Sequence, residues 1–273
     1  MTEQYEFDHL SIGLQDPYAG ATELRSRLGA VPLIGGVLDD FRYVLAHVGT
    51  VDRGGRLEII GPGTAGTGFM NRFLARHGPM AHHLSFSVPD LAATRTQLQD
   101  AGFTWVREDL GYPRWQELFL PPDDVHGLVI QIASTQTPLP PLRELLATRK
   151  RNYGVMPNNR GARQPDWWES VWDVPVENRA VLGPVLLDST DPARTHVLLH
   201  WILGAEVVAH SPVPGSRLYR WPTGEIAVRR AATGGVRTVL LTQSALPDVR
   251  IGGVVLSRTD ALGGIGNPGE HPS

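Results

Sequence analysis

Four polar side chains at matching spacings are candidates to bind one metal ion together. His9 and His83 are 74 residues apart, and Glu58 and Gln131 are 73 residues apart. Each lies in an alternating run whose apolar members face the other way, and a carboxylate or amide in such a run is costly without a partner. Two imidazoles, a carboxylate and an amide oxygen suit a divalent Zn, Ni, Co, Mn or Fe ion. A metal-free, hydrogen-bonded cluster of the four is the alternative.

The matching spacings come from an internal repeat of a β-α-β-β-β unit. Each copy opens with an alternating strand, which is followed by a helix that Asp16 or Asp90 caps and that Gly29 or Gly102 ends. In copy one the predicted elements are a strand at 7–14, a helix at 21–28 and strands at 31–33, 41–47 and 56–60. In copy two they are a strand at 81–88, a helix at 92–98 and strands at 104–107, 115–120 and 128–133.

A third copy follows a linker and lacks the polar position. The run 203–205, Leu-Gly-Ala, repeats the run 28–30, and by that offset Pro184 takes the place of His9. We therefore interpret this copy as a degenerate, structural module. Its strand-like runs are 216–221, 225–229 and 236–242.

The predicted fold class is α+β, with copies one and two paired into a cup-shaped mixed-sheet barrel. The predicted domains are the paired modules with the metal site at 1–134, a linker at 135–179, the third module at 180–258 and a flexible tail at 259–273. The linker contains Trp167, Trp168 and Trp172. We expect these rings to cover a module face or to join copy three to the rest. A lid over the cavity or a dimer contact is the alternative.

The composition excludes several classes of function. The 273 residues include no cysteine, so disulfides and thiolate chemistry are excluded. The net charge is −3 and no basic stripe occurs, which argues against nucleic acid as a partner. The first residues lack the pattern of a signal peptide, and no apolar run is long enough to cross a bilayer. We therefore expect a cytoplasmic protein that binds neither membrane nor nucleic acid.

Two segments resemble a known family. Residues 56–62, Arg-Leu-Glu-Ile-Ile-Gly-Pro, and residues 71–88, with Ala-His-His-Leu-Ser-Phe-Ser-Val at their end, are similar to the methylmalonyl-CoA epimerase branch of the vicinal oxygen chelate superfamily. Glyoxalase I, extradiol dioxygenases and fosfomycin or bleomycin resistance proteins also belong to it. The resemblance is good over 6–134 and weak over 180–258. It implies a cup of paired modules, with metal ligands on the first and fourth strands of each. Those positions are His9, Glu58, His83 and Gln131.

The sequence departs from this family at Gln131. The position usually holds a glutamate that can take part in proton transfer, whereas an amide can bind a metal but cannot act as a base. At the adjacent histidines, alternation selects His83 as the ligand and places His82 toward the helix layer. In extradiol dioxygenases two histidines and one carboxylate hold iron, but here the carboxylate lies in the opposite module, which disfavours that reaction.

The base must therefore lie outside the metal ligands. Glu117 and His47, on the third strand of each module, are the candidate catalytic residues, and Tyr43, Trp115 and Ser85 are candidates for substrate binding. The leading hypothesis is a metal-dependent isomerase, epimerase or lyase for a small molecule that chelates the ion through two neighbouring oxygens. The alternatives are an extradiol-type ring-cleaving dioxygenase and a non-catalytic, resistance-type binding protein. A homodimer would cover the exposed face of an unpaired third module.

Overall fold

The computed structural model describes residues 4–137, 140–147, 167–242 and 246–258. The strands are β1 (Glu6–Gly13), β2 (Val31–Val37), β3 (Phe41–Gly49), β4 (Gly54–Pro62), β5 (Met80–Ser87), β6 (Arg107–Asp109), β7 (Gln116–Leu120), β8 (Val129–Ser134), β9 (Val181–Ser189), β10 (Glu206–Val208), β11 (Ser216–Trp221), β12 (Gly224–Arg230), β13 (Gly235–Thr242), β14 (Val249–Ile251) and β15 (Val254–Arg258). The helices are α1 (Pro17–Leu28), α2 (Phe69–His77), α3 (Leu91–Asp100), α4 (Leu142–Ala147) and α5 (Pro192–His196), with a 3-10 helix at Glu169–Asp173 and a π-helix at Val197–Ile202.

The first two modules form one eight-stranded mixed sheet in the order β2-β3-β4-β1-β5-β8-β7-β6. Within each module the first strand runs parallel to the fourth, β1 to β4 and β5 to β8. The two modules join where β1 and β5 pair antiparallel, with Leu10 opposite Leu84. The predicted β-α-β-β-β repeat and the α+β class are confirmed, and the sheet stays open at its two edge strands.

Local sequence explains where the module helices begin and end. Asp16 accepts hydrogen bonds from the backbone N–H groups of Tyr18 and Ala19, and Asp90 accepts one from Ala93, so both predicted N-caps are present. α1 ends at Gly29, whose φ of 68° lies in the left-handed region that glycine adopts without strain. These two caps place α1 and α3 directly after the strands that carry the candidate histidines.

The second sheet contains more than a third module. Its order is β10-β11-β12-β9-β13-β15-β14, and β9, α5, β10, β11 and β12 make up the third β-α-β-β-β unit. β13 then pairs antiparallel with β9, and β15 runs parallel to β13, just as β5 and β8 do in the first sheet. The assignment of 236–242 to the third module is therefore wrong. That run opens a fourth, shortened copy, which has no helix among its described residues and pairs with the third.

Register matching identifies the second-sheet counterparts of the four candidate ligands. In the first sheet Leu10 pairs with Leu57 and Leu84, and Leu84 pairs with Ile130. In the second sheet Val185 pairs in the same way with Ile226 and Val239, and Val239 pairs with Leu256. The corresponding positions are Pro184, Ala227, Thr238 and Ser257. No imidazole or carboxylate occupies them, so the candidate ligand set belongs to the first sheet.

The two sheets share one hydrophobic core. Leu10 of the first sheet and Val185 and Ile226 of the second belong to the same cluster of buried side chains. Trp221 of β11 reaches across, with its ring centroid 5.4 Å from that of Phe86. Because the apolar face of the first sheet is buried in this way, its polar positions face the opposite side, where the candidate ligands lie. No helix in the described part of the chain is long and apolar enough to span a bilayer.

The tryptophans of the linker cover the first module. Trp168 is fully buried and packs with Ala21 of α1 and Val44 of β3. A Cβ at Gly35 would lie 2.4 Å from Cδ1 of Trp168, so the ring needs a glycine beneath it. The interpretation that these rings cover a module face is confirmed for Trp168.

Candidate metal centre

Three of the four candidate ligands converge on one point of the first sheet. His9 on β1, Glu58 on β4 and His83 on β5 are all buried, and their ligand atoms lie within 4.8 Å of one another. The Nε2 atoms of His9 and His83 are 3.2 Å apart, and Nε2 of His9 is 3.4 Å from Oε2 of Glu58. Metal–nitrogen bonds of about 2.0–2.1 Å would allow one ion to reach both imidazoles. The arrangement can hold a divalent ion.

Asp8 hydrogen-bonds the side of the His9 ring that faces away from the other candidate ligands. The β1–β5 pairing shifts register between Phe7 and His9, and Asp8 Oδ1 lies 3.0 Å from Nδ1 of His9. Asp8 also accepts hydrogen bonds from Ser87 at 3.2 Å and from Arg56 at 3.4 Å. Burial alone would raise the pKa of Asp8, but His9 and Arg56 lower it well below its usual range. With Nδ1 engaged by Asp8, His9 presents Nε2 to the site.

A charge imbalance accompanies this arrangement in the metal-free protein. Burial lowers the pKa of His9, but the carboxylates of Glu58 and Asp8 outweigh burial and raise it to about 9. Burial, together with the neighbouring His82 and His9, lowers the pKa of His83 well below its ordinary value. His9 therefore holds a proton near neutral pH, whereas His83 is neutral.

His82 lies beside the site and not in the layer of α1 and α3. Residues opposite β1 change from His83 to Ala81 in one step, which leaves His82 as a bulge. Its Nδ1 lies 2.8 Å from Nδ1 of His83, and its ring packs edge-on against Phe73 of α2 with centroids 4.6 Å apart. The expectation that His82 faces the helix layer is therefore wrong. Burial lowers the pKa of His82 to about 4.

Gln131 has a buried side-chain oxygen without a geometric hydrogen bond to any described residue. Its Nε2 donates to Oε2 of Glu117 at 2.7 Å, and Nε1 of Trp115 donates to the same oxygen at 2.8 Å. Oε1 of Gln131 is buried and has no hydrogen-bond partner among the described residues. The Gln131 side chain also interacts with His83. A buried carbonyl oxygen near that imidazole fits a metal ligand, because burial without a strong partner is costly.

Two serines at related positions behave differently. Ser11 donates to Oε1 of Glu58 at 3.1 Å and so orients that carboxylate. Ser85, its counterpart in the second module, lies opposite Gln131 in the β5–β8 pairing. The Ser85 hydroxyl is buried with no partner in the described part of the chain. The second-module side of the centre thus contains two unsatisfied polar groups, Ser85 Oγ and Gln131 Oε1.

Two other candidate site residues, Tyr43 and His47, make their described contacts away from the candidate metal centre. Tyr43 lies with Leu45 and Ile60 in a hydrophobic cluster that Met70 and Leu74 of α2 cover. That cluster fills the first-module half of the face, so the prediction of Tyr43 as a substrate contact is not supported.

His47 is likewise directed elsewhere. Its Nε2 hydrogen-bonds the backbone carbonyl of Thr50 at 2.8 Å in the β3–β4 turn. In the pairing of β3 with β4, His47 lies opposite Arg56, and Leu45 lies opposite Glu58. His47 is therefore two residues farther along the strand than the position opposite the candidate ligand. Burial lowers the pKa of His47. These contacts are those of a turn-stabilising residue, and a catalytic role for His47 stays a prediction.

Sequence reasoning missed helix α2, which covers this face. α2 begins after Gly68 and ends at Gly78, and its buried Met70 and Leu74 have the four-residue spacing of an amphipathic helix. That spacing was a usable signal. α4 places Leu145 in the same cluster.

Comparison with known proteins agrees with this architecture. The model of the glyoxalase-like domain family matches residues 7–160, so the chain belongs to that family. With it the chain is a member of the vicinal oxygen chelate superfamily.

One solved structure shows the same fold over most of the chain, and others match about half of it. A hypothetical protein from Staphylococcus aureus is 11% identical with a TM-score of 0.54, covering 92% of this chain and 97% of its own. Methylmalonyl-CoA epimerase from Mycobacterium tuberculosis is 22% identical with a TM-score of 0.42, covering 50% of this chain and 91% of its own. A Streptomyces coelicolor methylmalonyl-CoA epimerase variant in complex with 2-nitronate-propionyl-CoA is 23% identical with a TM-score of 0.42, covering 49% and 96%. The comparison with curated proteins gave no match.

Proposed function

We propose that this protein is a metal-dependent enzyme that isomerises or epimerises a small oxygenated metabolite by proton transfer. The observation that carries the proposal is a carboxylate beside, but outside, a metal-binding set. Glu117 hydrogen-bonds Gln131 at 2.7 Å, and His9, Glu58 and His83 have ligand atoms within 4.8 Å of one another. A metal centre with an adjacent base suits abstraction of a proton next to a carbonyl.

The ion would be held by His9, Glu58, His83 and Gln131. This N/O set suits Zn, Ni, Co, Mn or Fe and does not choose among them. The chemistry that a divalent ion supplies here is stabilisation of the oxyanion that develops when a neighbouring C–H is deprotonated. Because one carboxylate and not two is among the ligands, less of the ion's charge is neutralised, which favours that role.

The side chains of the second module would do the remaining work. Glu117 would take the proton from the carbon beside the carbonyl and, in an isomerisation, return it to the neighbouring carbon on the same face. In an epimerisation the returning proton would come from solvent on the opposite face, and Glu117 would release its own proton to solvent. Ser85, whose hydroxyl is buried without a partner, would donate to a substrate oxygen. Trp115 would orient Glu117 through its Nε1 hydrogen bond at 2.8 Å. The first-module half of the face is filled by α2, so substrate would enter over the second module.

Metal analysis tests the first half of the proposal. Wild-type protein loaded with each candidate metal and then desalted should retain about one ion per chain, and Glu58→Ala and His83→Ala should retain much less. Glu23→Ala and His210→Ala are matched controls, because these residues are not buried and lie outside the site. Unchanged metal content in both site variants, or no metal in the wild type, would contradict the proposed centre.

Solvent exchange tests the second half. The metal-loaded protein is incubated in deuterated water with α-hydroxy ketones and β-dicarbonyl compounds, and deuterium incorporation is followed by NMR. Incorporation that depends on both metal and Glu117 supports proton transfer. Oxygen consumption with a catechol would point to the ring-cleaving reaction. Tight metal-dependent binding with neither reaction would indicate a binding protein.

A further inference from the structure

We propose that His82 is a positioning residue of the metal centre, accepting a hydrogen bond from His83 so that His83 presents Nε2 to the ion. The inference rests on the proposed metal site and adds a residue to it that does not itself bind the metal. One contact between the two rings, a bulge that creates it and the packing around His82 support this role.

The contact between the two rings defines which nitrogen carries the proton. Nδ1 of His83 lies 2.8 Å from Nδ1 of His82, while its Nε2 lies 3.2 Å from Nε2 of His9. Two imidazole nitrogens at hydrogen-bond distance need one donor and one acceptor. A metal-binding His83 uses the Nε2 lone pair, so its Nδ1 carries the hydrogen and donates it to His82. His82 then accepts at Nδ1 and holds its own hydrogen on Nε2.

A strand bulge makes this contact available. In a regular strand His82 and His83 would point to opposite faces. The pairing instead runs from Ser11 opposite His83 to Ile12 opposite Ala81, which leaves His82 unpaired and lets its ring turn beside its neighbour. The bulge thus converts two adjacent histidines into a ligand and its support.

The first module uses the same device with different chemistry. There the residue before the ligand is Asp8, whose Oδ1 lies 3.0 Å from Nδ1 of His9, also next to a register shift. In each module, therefore, the residue that precedes the ligand histidine holds its Nδ1. Such supports fix the ring and raise the ligand's basicity. An imidazole does this in the second module without adding a second buried negative charge.

Packing from α2 fixes the acceptor. Phe73 meets the His82 ring edge-on at 4.6 Å and 80°, and Phe69 approaches at 5.7 Å. The ring of His82 is therefore held by two aromatic side chains on one side and by His83 on the other. α2 acts on the metal centre through this contact.

Two substitutions separate hydrogen bonding from packing. His82→Phe keeps an aromatic ring for Phe69 and Phe73 but removes the acceptor, whereas His82→Asn keeps an acceptor near the position of Nδ1 but removes the ring. Zn²⁺ and Co²⁺ affinities are measured without substrate, by competition with a chromophoric chelator. We expect His82→Phe to bind about 10–100-fold more weakly than wild type and His82→Asn to recover most of that loss.

The protonation of the two rings can also be measured by NMR on the wild-type protein, so this test does not depend on whether a variant folds. In the Zn²⁺-loaded protein, long-range ¹⁵N–¹H correlation spectra should show His83 protonated on Nδ1 and His82 unprotonated on Nδ1. Wild-type affinity in His82→Phe, or the opposite tautomers, would overturn this role while leaving the metal site standing. A wild-type protein that binds neither ion would overturn both proposals.

Discussion

The side-chain Nε2 of Gln131 donates to Oε2 of Glu117 over 2.7 Å. A carboxylate can only accept, so this contact settles which end of the Gln131 amide faces Glu117 and directs the carbonyl oxygen away from it. That oxygen is one of two buried polar atoms at the candidate metal centre, with Ser85 Oγ, that have no hydrogen-bond partner among the described residues. Glu117 therefore has two separable properties: it orients a proposed ligand, and it is a carboxylate able to take a proton.

Substitution of Glu117 separates these properties. Glu117→Gln keeps an oxygen that can accept from Trp115 and Gln131, so we expect metal affinity to stay near wild type. Removal of the proposed base should lower metal-dependent deuterium exchange by about 10²–10⁴-fold. Glu117→Leu should lose both metal affinity and exchange. Glu108→Gln, on the neighbouring strand β6, is the matched control, since Glu108 pairs with Arg95 away from the ligands. Full exchange in Glu117→Gln would remove Glu117 from proton transfer.

Metal affinity should depend on pH through His9. In the metal-free protein the pKa of His9 is raised to about 9, despite burial, by Glu58 and Asp8. Below that pH an incoming ion must displace the His9 proton. The apparent affinity should therefore rise by about tenfold per pH unit between about pH 7 and pH 9 and then level off. Chelator competition across this range measures it, and a flat profile would mean that His9 is already neutral.

The stability of the metal-free protein should fall on both sides of neutrality. A histidine whose folded pKa lies above its unfolded value stabilises below the unfolded pKa, so the His9 contribution is lost as pH rises from about 6.5 toward 9. The pKa of His82 is lowered by burial to about 4, so stability is also lost as pH falls from about 6.5 toward 4. Urea unfolding at several pH values measures both limbs. Bound metal should remove the loss of stability above pH 6.5, because the metal displaces the His9 proton.

The matching spacings of the repeat were enough to predict that His9, Glu58 and His83 come together. Alternation places His9 and His83 on one face, and the pairing of β1 with β5 brings them together. The bulge at His82 could not be predicted, because one extra residue in a strand carries no sequence mark of its own. The surroundings of Tyr43 could not be predicted for another reason. Alternation assigned it to the correct face, but only the tertiary structure shows that α2 covers that half of the face.

The fourth module shows a further limit of pattern reasoning. Repeats are recognised by elements at a constant offset, and β13 to β15 lack the helix and its caps that set this offset. Three short strands alone are indistinguishable from a continuation of copy three. Only their pairing, with β13 antiparallel to β9, identifies the copy.

Removal of the Asp8 charge should weaken both the fold and the metal centre. Asp8 is buried and accepts from His9, Ser87 and Arg56, and Arg56 is itself buried. Asp8→Asn leaves the guanidinium poorly paired, so we expect a loss of about 3–5 kcal/mol in the free energy of unfolding. Metal affinity should fall by about 10–100-fold, because His9 loses its anionic support. Urea unfolding and chelator competition measure the two effects.

The control for Asp8 is another aspartate in the same module. Asp16 is exposed and caps α1, a role that asparagine fills equally well, so Asp16→Asn should change stability by a few tenths of a kcal/mol at most. Equal stability of Asp8→Asn and Asp16→Asn would show that the buried ion pair contributes little.

The linker should stabilise the first module through Trp168. This ring is fully buried against Ala21 and Val44, so Trp168→Ala should lower the free energy of unfolding by about 3–5 kcal/mol. Gly35→Ala should also lower the free energy of unfolding. The new Cβ would lie 2.4 Å from Cδ1 of the Trp168 ring, which packs against Gly35. Trp201→Ala is the control, since that side chain is 68% exposed and should change stability little. Denaturant unfolding compares the three. If Trp168→Ala were as stable as Trp201→Ala, the linker would not be packed on the module in solution.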